Sequence, residues 1–180
     1  MASGEGSHVI TVLQVMEATE GGTRRHLRDL VSALEPQAFR VVLAVSCGRD
    51  AAFRARDVPE YEARGVPVHE VPMRRGIAPA ADLLSLARLV RVIRSVRPDV
   101  VHAHSAKAGF LARLAALACG VPAVYTPHAF PFLVVGRPRA RRLYRFLERG
   151  VRGATAALIA VLELVSNNII TRVDLWGILL

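Results

Sequence analysis

Three short stretches hold the residue types that could do chemistry. AVYTPHAF, Ala123 to Phe130, begins as an apolar strand and then presents Pro127 and His128 where the run should stop. A proline pushes the residue before it toward extended backbone, so the imidazole lies in a loop just past a strand. EATEGGTRRHL, Glu17 to Leu27, places Gly21 and Gly22 at a turn into a helix, where bare backbone and the positive helix end can approach a phosphate closely. It fits neither the dinucleotide glycine pattern nor the P-loop, and a flexible turn with Thr23 as N-cap explains it equally well. HAHSAKAG, His102 to Gly109, sets two histidines at i and i+2, on one face of a strand. His102 is expected to be packed and His104 to reach the sheet edge beside Ser105, forming a polar wall for a substrate. Two histidines without a third ligand do not make a metal site, so none is expected. Lys107 could meet an anion or be an ordinary surface residue.

The elements that position these loops alternate along the chain. HVITVLQVM, RVVLAVSC, VPVHEVPM, DVVHAHS, AVYTP and ALIAV read as apolar, β-branched strands, the pattern of parallel strands covered on both faces. Between them lie helical patterns. The first carries Leu27, Leu30, Val31 and Leu34 and stops at Glu35-Pro36, and the second runs from Phe53 to Arg64 with Gly65 as a C′ glycine. The third, Ala80 to Val96, exposes a ridge of Arg88, Arg91, Arg94 and Arg97, and the fourth, Ala106 to Cys119, closes at Gly120-Val121-Pro122. This alternation predicts an α/β fold, an open parallel Rossmann-like sheet with helices on both faces. In such sheets ligands bind beyond the carboxyl ends of the strands, where all three loops fall.

With 180 residues, 52% of them apolar, the chain can bury one sizeable core. Its net charge is +9, and Lys107 is the one lysine among 24 basic residues. That field favours anionic partners, but no aromatic platform or recognition helix is present, so nucleic acid is not expected. Cys47 and Cys119 lack metal or redox spacing and read as reduced core residues of a cytoplasmic protein. No signal peptide or membrane-spanning run is read. RPRARRLYRFLERGVRG, Arg137 to Gly153, combines an apolar stripe of Leu143, Phe146, Leu147 and Val151 with Arg139, Arg142, Arg145, Arg149 and Arg152 around the rest, and follows the apolar loop Phe130 to Val135. It reads as a crossover helix that could also touch an anionic membrane surface through Arg137 to Arg152, which would place the protein at the inner face of the plasma membrane.

The Gly-Gly loop, HAHSAKAGFLARLAALACGVPAVYTPHAF and the βα order together resemble the N-terminal, acceptor-side domain of glycosyltransferase family 4, enzymes of the GT-B fold. The resemblance runs from about His8 to Val161 and is most specific over Val100 to Phe130. It implies that Gly21 and Gly22 lie against the diphosphate of a nucleotide-sugar donor and that His128 approaches the donor sugar as the catalytic residue. Thr23, His104, Ser105 and Lys107 would contact the acceptor or substrate, a glycan or polyprenyl-linked molecule. The nucleotide-sugar is then substrate, and neither cofactor nor metal is implied. The expected organisation is a flexible N-terminus over 1–7, the Rossmann-like domain over 8–161 and an atypical tail over 162–180, VLELVSNNIITRVDLWGILL from Val161 onward being foreign in texture to the preceding chain, as after a truncation or frameshift. On that expectation the donor domain with its Glu-x7-Glu motif is missing, Glu62 and Glu70 having that spacing by accident. The implied activity is retaining sugar transfer, inactive without the donor half. The alternative is a non-catalytic domain binding a partner or an anionic surface without turnover.

Overall fold

The computed structural model describes residues 8–48, 50–128 and 138–159. Six strands form one parallel sheet in the order β3-β2-β1-β4-β5-β6. They are β1 (Ile10–Met16), β2 (Phe39–Val45), β3 (Val68–Glu70), β4 (Val100–His104), β5 (Ala123–Thr126) and β6 (Ala157–Leu158). The order reverses between β1 and β4, which makes the crevice beyond their carboxyl ends the expected ligand position.

Strand parity explains both faces. In β1 and β2, Leu13, Val15, Val42 and Ala44 point one way, into a core shared with Leu89, Ile93, Leu111, Ala112 and Tyr125. Met16, Leu43 and Val45 point the other way, against Leu27, Val31, Phe53 and Tyr61. Because both faces are covered, the strands read as continuous apolar runs. β3 is much shorter than VPVHEVPM suggests. Pro67 and Pro72 flank it and cannot donate to a ladder, although the Pro67 carbonyl still accepts from the Leu43 amide at 2.9 Å.

Helices α1 (Gly21–Ala33), α3 (Pro79–Val96) and α4 (Ala106–Cys119) follow β1, β3 and β4. Helix α2 is composite, a π-helical turn over Phe53–Asp57 running into α-helix over Val58–Ala63, and ends at Gly65 with φ +75° as expected of a C′ glycine. Helix α5 (Pro138–Gly150) crosses from β5 toward β6. Its inward side is Tyr144, Leu147 and Glu148, continued by Val151 just past its end, whereas Leu143 and Phe146 of the predicted stripe are exposed, Phe146 at 72%. The loop Phe130 to Val135, Arg137, the N-terminus 1–7 and the tail 162–180 lie outside the described residues.

One junction ties α4, α5 and β5 together. Gly109 lies against the ring of the fully buried Tyr125, and the Arg113 guanidinium stacks 4.2 Å above that ring. Arg113 also donates to the Gly109 carbonyl and to Glu148, each at 2.7 Å. Both charges are buried, and each compensates the desolvation of the other. Burial pushes the Tyr125 phenol well up, with the Glu148 carboxylate adding to the effect. Among the described residues no helix is long and apolar enough to cross a membrane.

Candidate functional site

The sheet face beneath α1 changes character at its carboxyl edge. Gln14, His102, His104 and Thr126 occupy, by strand parity, positions that could have been apolar, and all four are buried. They satisfy one another in pairs: His104 Nε2 lies 2.8 Å from Gln14 Oε1, and His102 Nε2 lies 2.7 Å from Thr126 Oγ1. A buried polar row of this kind adds nothing to the apolar core and rigidifies the edge on which the loops are mounted. The i, i+2 reasoning for the two histidines holds, their rings being 4.1 Å apart, and His102 is packed as expected. His104 does not stand at an open edge. It is fully buried, because α1 lies over it.

Two helix N-termini open onto this edge. Helix α1 starts at Gly21, whose φ of +59° is costly for any residue but glycine, and its N-cap, Glu20, makes no side-chain capping bond. Thr23 is therefore not the N-cap. It sits inside the first turn, where its hydroxyl lies 2.7 Å from the Ala18 and Glu20 carbonyls and closes the loop on itself. The first turn itself holds no acidic side chain, and the outward amides and dipole of a helix start are the kind of group that receives an anion. Helix α4 repeats the arrangement. Ser105, its N-cap, sits at φ 65° and ψ 164°, a conformation costing on the order of 1–3 kcal/mol for a residue with a side chain. Its hydroxyl is buried without a protein partner.

His128 arrives beside this pair of helix ends, just past Pro127, which is buried. Its ring is 5.0 Å from His26 and 5.8 Å from His104, and His26 and His104 are 5.5 Å apart. Desolvation pushes His128 and His102 down to about 4, with repulsion from His26 adding to both, and holds His104 well below the ordinary value. All three are neutral at pH 7, so they act through hydrogen bonds and lone pairs rather than charge. His128 Nε2 and His104 Nδ1 are buried without hydrogen-bond partners.

The structure thus brings Gly21, Gly22, Thr23, His104, Ser105 and His128 to one edge. Lys107 is placed differently. Its ammonium is 2.7 Å from Asp82, pinning α4 to α3, so its charge is already neutralised. Arg24 and Arg28 are likewise engaged with Asp57, at 2.6 Å and 2.8 Å, and hold α1 to α2. The residue that sequence reasoning passed over is His26. It stands four residues after Gly22 and is thus on the same helix face, a spacing that could have indicated it.

At the switch point of this Rossmann-like sheet, two helix starts without side-chain caps meet a cluster of buried imidazoles. The chain belongs to the Glycosyl transferase 4-like domain family, whose family model matches residues 21–173. It is 36% identical over 88 residues to the UDP-Gal:alpha-D-GlcNAc-diphosphoundecaprenol alpha-1,3-galactosyltransferase of Escherichia coli, a match covering 48% of this chain and 23% of that protein. Among solved structures it resembles a glycosyltransferase from Rickettsia africae, with a TM-score of 0.60 and 19% identity over 85% of this chain and 37% of the other. It also resembles the UDP-N-acetylglucosamine 2-epimerase of Rickettsia bellii, with a TM-score of 0.61 and 14% identity over 87% and 40%. These structures share the fold. The chain spans well under half the length of each of these relatives.

Proposed function

We propose that the chain is the acceptor-side domain of a retaining glycosyltransferase, moving a sugar from a nucleotide-sugar to a glycan or lipid-linked acceptor once a nucleotide-gripping domain closes over the edge described above. The observation that carries this reading is the gathering of His26, His104 and His128 at the edge from which two helices without side-chain caps start. In it, the outward amides around Gly21 and Gly22 receive the departing diphosphate, where charge grows as the glycosidic bond breaks. Arg24, Arg28 and Lys107 are held in ion pairs, which leaves backbone amides as the anion donors. His128, neutral and desolvated, orients the donor sugar by hydrogen bonding to a hydroxyl. The buried Ser105 hydroxyl serves the same purpose for donor or acceptor, and its backbone strain is consistent with a position held for function. His104 forms the rear wall.

The Escherichia coli relative is named for a diphosphoundecaprenol-linked acceptor. An acceptor of that kind would bring this domain to a membrane surface, and the exposed Leu143 and Phe146 beside the arginines of α5 suit such contact. The test is transfer from radiolabelled UDP-sugars to a polyprenyl-diphosphate-linked acceptor by the chain combined with a donor domain from a relative, with product configuration read by NMR. Product that keeps the donor's anomeric configuration supports the proposal. Inverted product, or no transfer from any donor by the folded pair, overturns it. The chain without a donor domain is expected to show no turnover, since an open half-site neither excludes water nor holds the leaving group.

A further inference from the structure

The histidine cluster has a geometry that sugar binding alone does not require. We propose that His26, His104 and His128 form a three-imidazole site for a borderline divalent cation of the zinc type. Each ring comes from a different element, α1, the end of β4 and the loop after β5, and their candidate ligand nitrogens all lie within 4.8 Å of one another. Three imidazoles around a tetrahedral zinc, with Zn–N of about 2.0–2.1 Å and ring centres about 1.1 Å beyond, have their centroids about 5 Å apart. The observed separations are 5.0, 5.5 and 5.8 Å. Binding would draw the ligand nitrogens together to about 3.3 Å, the N···N spacing around tetrahedral zinc.

His104 carries the second line of argument. It is fully buried, and its Nε2 donates to Gln14 Oε1, which fixes the tautomer and leaves Nδ1 as a lone pair without a protein partner. A metal-bound imidazole is typically held in this way, one nitrogen on the ion and the other hydrogen-bonded to a fixed oxygen. His128 Nε2 is a second nitrogen without a partner. Three nitrogen donors with no carboxylate in the set select zinc, nickel or copper over magnesium or calcium. Three protein ligands also leave a fourth position for water or a substrate oxygen.

If the transfer reading is right, an ion here takes His128 away from the donor sugar, and zinc lowers turnover. The direct test needs no donor. Untagged chain is titrated with zinc chloride, and separately with magnesium chloride, at pH 7.5 by calorimetry, and cobalt is followed by its visible absorption. One zinc per chain with a micromolar Kd is expected, together with an intense tetrahedral cobalt spectrum and no magnesium binding. His26→Ala, in a chain whose circular dichroism is unchanged, should weaken zinc binding at least tenfold, while His8→Ala and His69→Ala leave it unaltered. Absence of saturable one-to-one zinc binding by the wild-type chain overturns the proposal, as does unchanged affinity in His26→Ala. Intact sugar transfer in a chain that takes up no zinc overturns this site and leaves the proposed function standing.

Discussion

Gly109→Ala offers a sharp test of how the edge is held. In α4 an alanine normally gains about 1 kcal/mol over glycine in helix propensity. Here the added Cβ would sit 2.8 Å from both Cδ2 and Cζ of Tyr125 and closer still to Cε2. Real Cβ atoms do not approach so near, so either the ring or the helix must move. Tyr125 is fully buried, and Arg113 lies 4.2 Å above its ring while paired with Glu148 at 2.7 Å, so displacement of the ring disturbs a buried ion pair as well. Overpacking costs about 1–3 kcal/mol where neighbours can yield and more where they cannot. Taking the upper end and subtracting the propensity gain leaves a net loss of about 2 kcal/mol. For a domain of this size that lowers Tm by about 4–8 °C. Urea and thermal unfolding followed by circular dichroism read the effect, with Ala112→Gly as a comparison that creates space in the same helix. A Tm equal to or above that of the wild type would show that α4 does not rest on Tyr125 as described, and the reasoning would fail.

The buried imidazoles predict a pH dependence of stability. His102 has a folded value of about 4 against an ordinary 6.5, so between those limits the unfolded chain binds more protons and stability must fall as pH falls. The stabilisation is fully present above pH 6.5, shrinks as pH drops toward 4 and levels off below. From pH 7 to pH 5 the loss is about 2 kcal/mol for His102 alone, measurable by urea unfolding at the two pH values, and a flat profile would count against burial of the row. At the surface, Arg139→Glu combined with Arg142→Glu should weaken binding to anionic liposomes at least tenfold, with each arginine contributing about 1 kcal/mol and salt screening the effect. Equal cosedimentation with neutral and anionic vesicles would reduce α5 to a crossover helix.

Much of the fold was legible because local and tertiary requirements coincide. β-branched runs such as RVVLAVSC must be covered on both faces, and Gly65 and Gly120 take the left-handed conformation that ends a helix, with φ of +75° and +69°. The strand parity that groups His102 with His104 is fixed by the backbone alone. What was not legible depends on pairing across elements. Nothing local says that Lys107 meets Asp82, or that Arg24 and Arg28 turn to Asp57 rather than toward a phosphate. The N-cap was misplaced because Thr23 is the residue type that usually caps, whereas Gly21 at φ +59° lets the helix begin three residues earlier, with Glu20 at the cap. His26 was missed because one histidine in an arginine-rich helix gains meaning only when β4 and the loop after β5 bring two more beside it.

The central claim is that the uncapped start of α1 and His128 form the donor side of a sugar-transfer site. Amide-resolved NMR of the chain titrated with UDP tests this most directly, because it locates the anion without requiring turnover. The account predicts saturable shifts concentrated on the amides of Gly21, Gly22 and Thr23, with smaller ones at Ser105 and His128. Shifts concentrated instead at the arginine-lined cleft of Arg74, Arg75 and Arg88, or the absence of saturable shifts at Gly21 and Gly22, would contradict it.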